Sequence, residues 1–351
     1  MLSRHTPGPK SDRLGVRFAV GHVCFGVLAL AAVAAGQVER TVQTMGTSLR
    51  IEVDAASSAK ALAASEKAIR ACEAVERRLS TWTLDSELAR LNRAPAGEFV
   101  AISTALARDL KLARRWWRAT ARAFDPGVGC LVDVWGLRAG GRVPTAEEVR
   151  SARASGLFAA LAIDGRTAAR KHAYLRIEEG GFAKGIALDA ALAVLHRAGA
   201  TRALIDLGGQ IAFFGQGPET FGIAHPERRE EIVCRVRIEC GSLATSGNSE
   251  RGIVVAGKRY GHLLDPRTGR PAVDFGSITV WAQSAADADC LSTGLYVLGP
   301  DAALAWAEKR PGIEVLILQP DEGGDEHPKL RVRATRGMRS RLLRWLVGKK
   351  E

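Results

Sequence analysis

The chain has 351 residues, 46% of them apolar and 25% charged, which is enough apolar material for a sizeable core and excludes an intrinsically disordered chain. A formal net charge of +12 would suit a nucleic-acid partner if the basic residues shared one folded face. Much of the excess lies at the two ends instead, between Arg4 and Arg17 and between Lys329 and Lys350, with no zinc-finger spacing or aromatic RNA-binding motif beside it. No nucleic-acid partner is expected.

Residues 1–36 have the layout of an export signal: a basic lead ending at Arg17, an apolar stretch from Phe18 to Ala35, and Ala32-Val33-Ala34 as a small-residue cleavage site. The apolar stretch approaches membrane-spanning length, so an uncleaved anchor is the rival to cleavage. Either way the expected location is exported and periplasmic, with or without attachment to the inner membrane. The six cysteines show no repeated spacing, which argues for free thiols over a disulfide framework; Cys234 and Cys240 are the one pair that a strand pairing would bring together.

Beyond the leader, Thr41 to Val53 reads as a strand interrupted at Met45-Gly46-Thr47. A helix over about 57–79 follows, capped by Ser57 or Ser58, with Ile69, Cys72, Val75 and Leu79 on one face. Ser80 to Asn92 reads as a polar loop with a short helical turn, and a second helix runs over about 103–121. Glycines punctuate the middle and introduce a helix over about 183–198. Strands are predicted at 202–207, 211–214, 232–238, 252–255, 278–282 and 313–318, and helices at about 285–298 and 302–309. Strands and helices are interspersed without a regular βαβ rhythm, which predicts an α+β fold of mixed sheets with packed helices. The expected organisation is a leader or anchor over 1–36, one catalytic domain over 37–328, and a basic tail over 329–351. In that tail Leu342, Leu343, Trp345, Leu346 and Val347 lie among arginines, a pattern that suits either a short amphipathic helix on an anionic membrane surface or a solvated tail.

Three segments carry candidate chemistry. Asp289 and Thr293 stand four apart, so a helix places a carboxylate and a hydroxyl on one face; oxygen-only ligands suit a hard cation such as Mg²⁺, although capping accounts for many such pairs. Gly180-Gly181-Phe182-Ala183-Lys184-Gly185 puts glycines and a lysine at a helix start, where backbone N–H groups favour phosphate, or simply makes a tight turn. In Gly261-His262-Leu263-Leu264-Asp265-Pro266-Arg267-Thr268-Gly269, Asp265 and Thr268 can satisfy a turn, and His262 is either a general base or a structural histidine.

Taken in order with Ser80-Thr81-Trp82, Phe124-Asp125-Pro126, Asp189, Leu207-Gly208-Gly209 and Ala244-Thr245-Ser246-Gly247, these segments resemble the ApbE family of FAD:protein FMN transferases, from about Thr41 to Leu318. The resemblance implies an ApbE-like, T-fold-like single catalytic domain with FAD as substrate. It implies Mg²⁺ held by Asp289, Thr293 and the Gly181 carbonyl, and flavin-binding positions at Met45, Trp82, Ala123, Phe124, Asp125, Glu178, Lys184 and Leu263. His262 matches the candidate base and Lys184 an electrostatic helper. The implied reaction transfers FMN from FAD to a threonine of an acceptor flavoprotein, a periplasm-facing redox subunit, and releases AMP. FAD hydrolysis by water and FAD binding without turnover are the alternatives. The chain departs from the family pattern at Glu178, where an aspartate is usual, at Gly127 in place of a threonine, at Gln210, and at Asn248-Ser249 in place of Asp-Tyr.

Overall fold

The structure is a computed structural model and describes residues 17–18, 36–248, 252–321 and 330–345. Apart from Arg17, Phe18 and Gly36, the expected leader lies outside the described residues. So do Ser249 and the last part of the expected tail, including Leu346 and Val347.

Eight strands form one antiparallel sheet: β1 Gln37–Thr44, β2 Thr47–Asp54, β3 Arg202–Leu207, β4 Gln210–Phe214, β5 Gly241–Gly247, β6 Ser277–Ala282, β7 Ile313–Pro320 and β8 Leu330–Ala334. They lie side by side in chain order, each paired with its sequence neighbour. Residues alternate between the two faces, as strand geometry requires. In β4, Ala212 and Phe214 join the main core while Ile211 and Phe213 join a second cluster; in β7, Val315 and Ile317 face one way and Leu316 and Leu318 the other.

The first face is covered by helices α1 Ser58–Leu79, α2 Thr104–Ala119, α3 Ala183–Arg197 and α4 Ala285–Leu298. Ser57 caps α1 and Ser103 caps α2, each accepting from the backbone N–H three residues on. The second face is covered by a smaller sheet of Glu219–Ala224, Ile232–Ile238 and Leu342–Trp345, with Arg17–Phe18 parallel at its edge. The α+β expectation stands: helices on one face and a second sheet on the other enclose a single eight-stranded sheet.

Three details correct the sequence reading. Gly241–Gly247, read only as a motif, is a central strand, because its alternating Ser242, Ala244 and Ser246 fit beneath α4 where large side chains would not. The helix expected at 302–309 lies at Pro300–Ala307, with proline supplying its first turn. Within the expected tail, residues 330–345 form β8, a short helix Arg336–Arg341 and the strand Leu342–Trp345, so the described part of the anticipated amphipathic helix is a strand paired to Cys234–Val236. Leu330, Val332, Ala334 and Met338 are buried between the sheets, which accounts for the difference. The five described cysteines are free thiols. Among the described residues no helix is long and apolar enough to cross a membrane.

Candidate active site

The turns at one end of the main sheet converge on a cavity of about 1060 Å³. Two of those turns are two-residue hairpins with both central φ angles positive, Met45-Gly46 at 53° and 69° and Gly208-Gly209 at 57° and 89°, the backbone signature of type I′ turns. Glycine suits position 208 for a second reason: a Cβ there would lie 2.7 Å from the Thr47 hydroxyl and would have to displace that side chain. Met45, a non-glycine in the left-handed region, is the unusual member, and its side chain packs against the main core while lining the cavity.

Helices α3 and α4 form the floor, and each is capped by an aspartate of the other. Asp289 of α4 accepts from the Gly185 N–H in the first turn of α3 at 2.8 Å. Asp189 of α3 accepts from Ser284 Oγ at 2.6 Å and from the N–H groups of Ala285 and Ala286 at 2.7 and 3.1 Å, closing the start of α4. Carboxylates at helix N-termini meet unsatisfied N–H groups and the favourable end of the dipole. The two helices approach so closely that a Cβ on Gly185 would lie 2.3 Å from the Ala285 carbonyl oxygen. Gln210, one of the departures, donates from Nε2 to that same carbonyl at 2.8 Å, so its longer arm serves the clasp.

Asp289 is 5% exposed, and burial raises its carboxyl pKa while nearby Lys184 pulls it down. Thr293 stands one turn further along α4, and a Cβ on Gly181 would be 3.2 Å from its Oγ1, which puts the Gly181 backbone directly beside the hydroxyl. One carboxylate, one hydroxyl and adjacent backbone make an oxygen donor set without sulfur or imidazole, and a buried carboxylate there gains from an added cation. The residues present therefore fit Mg²⁺. Among the described residues no cluster of three or more His, Cys, Asp or Glu side chains offers an alternative metal site.

The side wall follows α2. After Ala119 the chain passes through positive φ at Ala121 and Arg122, a reversal that delivers Ala123, Phe124 and Asp125 to the cavity. Asp125 accepts from Trp117 Nε1 at 2.8 Å and from the N–H groups of Gly127 and Phe158 at 2.8 and 3.1 Å. Burial nevertheless pushes its pKa up to about 6, those three donors opposing the shift. With both oxygens engaged, Asp125 shapes the wall through its backbone and its fixed loop. Gly127 lies against the Leu157–Phe158 backbone, where a Cβ would meet the Phe158 nitrogen at 2.2 Å; this explains the missing threonine.

At the rim, Trp82 is 68% exposed. Behind it, Glu178 and Glu179 face Arg138 and Thr81, and burial together with the Glu179 charge raises the Glu178 pKa against the pull of Arg138. His262 and Leu263 follow a separate two-stranded hairpin of Gly252–Val255 and Lys258–Gly261, which packs through Ile253 and Tyr260 against Trp135. Asn248 secures this segment: its Oδ1 accepts from the Leu263 N–H at 3.4 Å, its Nδ2 donates to Ala272 O at 3.4 Å, and a Cβ on Gly261 would collide with it at 2.2 Å. Asp265 and Thr268 form the turn that the sequence suggested, with the N–H groups of Thr268 and Gly269 bonded to Asp265 O.

Met45, Trp82, Ala123, Phe124, Asp125, Glu178, Gly181, Lys184, His262, Leu263, Asp289 and Thr293 all line this one cavity. The sequence 45–317 matches the ApbE family. The chain belongs to the ApbE family. It is 33% identical over 304 residues to the FAD:protein FMN transferase of Vibrio cholerae, covering 84% of this chain and 91% of that protein, and 32% identical to that of Klebsiella pneumoniae, covering 80% and 84%. Among solved structures, ApbE of Thermotoga maritima superposes with a TM-score of 0.78 at 28% identity, covering 87% of this chain and 99% of that one. The apo flavinyl transferase ApbE of Pseudomonas stutzeri does so with a TM-score of 0.76 at 25% identity, covering 89% and 98%. For this ApbE-family chain, motif reading missed Arg138, which lines the cavity, and a further arm made by Gly222 to Pro226, Arg229 and Ser277. Arg138 sits in a glycine-flanked loop with no local signature; Gly222 to Ala224 belong to the second sheet and Ser277 opens β6 of the main sheet, so only tertiary structure brings the arm to the cavity.

Proposed function

We infer that this protein is a Mg²⁺-dependent, exported FAD:protein FMN transferase that moves FMN from FAD to a threonine hydroxyl of an acceptor flavoprotein, with AMP as leaving group. The observation that carries the reading is the convergence, in one cavity, of every residue the family likeness assigns to flavin, metal and base. Its volume suits a dinucleotide, since small-ligand sites run to about 1,000 Å³. Relatives named as FAD:protein FMN transferases support the reaction class, and the leader-like first 36 residues support export.

The reaction breaks the phosphoanhydride of FAD. The acceptor hydroxyl oxygen forms a bond to the FMN-side phosphorus, the bridging P–O bond breaks, and the electron pair leaves with AMP. Lys184, at the start of α3, stabilises the charge that develops on the phosphoryl oxygens. His262, held on its hairpin segment by Asn248, takes the hydroxyl proton. Asp289, Thr293 and the Gly181 carbonyl would hold Mg²⁺, which when bound supplies Lewis-acid neutralisation of the pyrophosphate. Trp82 offers an exposed aromatic face for a planar ring, and Phe124, Met45 and Leu263 supply apolar wall.

The test is incubation of the protein with FAD, Mg²⁺ and a fragment of a periplasm-facing flavoprotein bearing a Ser/Thr-Gly-Ala-Thr-type acceptor motif. Covalent fluorescent FMN on the fragment is the expected result. Free FMN and AMP without labelled fragment would make the protein a hydrolase, and FAD bound but unchanged would sink both enzymatic readings.

A further inference from the structure

Arg138 belongs to none of the motifs, yet it touches three parts of the cavity wall at once. Its Nη1 donates to the Thr81 carbonyl at 3.1 Å, and its Nη2 donates to both Thr81 Oγ1 and Glu178 Oε1. The guanidinium carbon lies 4.3 Å from the centre of the Trp82 ring, within cation–π range. Glu179 Oε2 is 3.8 Å away and accepts from the Thr81 hydroxyl, while Glu179 Oε1 accepts from the Thr81 N–H at 3.1 Å. Thr81 thus passes the carboxylate's hold on to the loop that carries Trp82.

This arrangement answers a problem posed by the sequence. Two adjacent glutamates on the wall would repel an anionic dinucleotide, and Glu178 and Glu179 both reach the cavity. Arg138 is paired with both. Its planar fork serves the carboxylate and Thr81 along one edge while its face covers one side of the indole, geometry that an ammonium cannot reproduce. Trp82, 68% exposed on a loop, would otherwise sample several rotamers, and ordering such a side chain on binding weakens affinity.

Resting on the transferase reading above, we propose that Arg138 is a positioning residue for FAD: it presets Trp82 and Glu178 for the bound dinucleotide and offsets part of the negative charge of the Glu178–Glu179 pair. Arg138 acts on binding and leaves the phosphoryl-transfer step to the residues of the floor.

The experiment measures FAD affinity by flavin fluorescence and KM and kcat for FMN transfer, in the full-length wild type and in Arg138→Ala, Arg138→Lys, Trp82→Ala and the Arg138→Ala/Trp82→Ala double variant, with melting temperatures alongside. Arg138→Ala should raise Kd and KM for FAD about tenfold with kcat within about twofold, the scale of one cation–π contact plus lost preorganisation. Arg138→Lys should recover only part of that loss. Because Arg138 works partly through Trp82, the two single losses should not add in the double variant. Unchanged KM in Arg138→Ala, full rescue by Arg138→Lys, additive losses, or an equal fall in kcat and melting temperature without a KM change would each overturn the proposal. A wild type that binds no FAD would overturn the transferase reading and this inference together, whereas FAD binding equal in wild type and Arg138→Ala would overturn this inference alone.

Discussion

Asp289 at the cavity floor is 5% exposed and Trp82 at the rim is 68% exposed, and the two are held by different means. The floor is fixed by backbone: two helices cap each other through Asp189 and Asp289, and Gly185 lets them touch. The rim is fixed by side chains on loops: Arg138 donates to Thr81 on one side, and on the other Asn248, just past the end of β5, accepts from the Leu263 N–H. A group that must meet a developing phosphoryl charge needs fixed geometry. A surface that admits a planar ring and a protein acceptor needs reach and access.

The sharpest way to break the contrast is at the floor. Asp289→Ala removes the sole carboxylate of the proposed Mg²⁺ set, and outer-shell changes alone typically cost about 10–100-fold in metal affinity. Mg²⁺-dependent FMN transfer should therefore fall by more than about a hundredfold. The assay is FMN incorporation across a Mg²⁺ titration; wild-type turnover in the variant would remove the metal assignment.

Gly185→Ala attacks the same region without touching a ligand side chain. The new methyl would lie 2.3 Å from Ala285 O and 2.5 Å from Ala286 Cα, both of them backbone, so α3 and α4 must separate. Overpacking of this kind costs about 1–3 kcal/mol. Denaturant unfolding should report that loss together with weaker Mg²⁺ binding by calorimetry. Intact Mg²⁺ affinity in a destabilised variant would mean that the helix clasp does not set the metal site.

Asp125 tests the side wall between floor and rim. Its folded pKa, pushed up to about 6 by burial, lies above the ordinary aspartate value of 3.8, so the folded state binds the proton more tightly than the unfolded chain. Stability from this group is fully present below pH 3.8 and is lost as pH rises through about 6. The loss amounts to no more than about 3 kcal/mol. Asp125→Asn should flatten the stability profile between pH 4 and pH 6, at the cost of a constant offset because an amide cannot accept from all three donors. Unfolding free energies that decline with the same slope in both proteins would show that Asp125 does not carry the effect.

The legibility of the molecule in its sequence follows the same division. The four long helices and six of the eight main strands could be read because each buries one face with a clear period, as in Ile69, Cys72, Val75 and Leu79 of α1. Asp289 and Thr293 were legible because a spacing of four on a helix has a chemical meaning. The strand Gly241–Gly247 was not, since its small residues reflect a helix packed above it and carry no strand signature of their own. β8 was hidden in a basic segment whose buried Leu330 and Val332 alternate with arginines over only five residues. Arg138 could not be found at all, because its partners Thr81 and Glu178 are 57 and 40 residues away.

The smallest expected effect belongs to Met45, where the rim's demands and the fold's preferences conflict. The Met45-Gly46 turn holds Met45 at φ 53°, a region that asparagine and glycine enter readily and methionine does not. Asn-Gly is the favoured pair for this turn type, so the hairpin alone would select asparagine. Met45→Asn should raise stability by about 0.5–1 kcal/mol through relief of that strain, less whatever packing the thioether contributed. The same change removes apolar wall from the cavity, so KM for FAD should rise by a few-fold, on the order of one lost apolar contact. The sign of the pair of effects is what matters: a variant both more stable and weaker for FAD means that the methionine is kept for the ligand. A variant less stable and unchanged toward FAD would make Met45 an ordinary core residue at an awkward turn, and would move the boundary of the ligand site inward to Phe124.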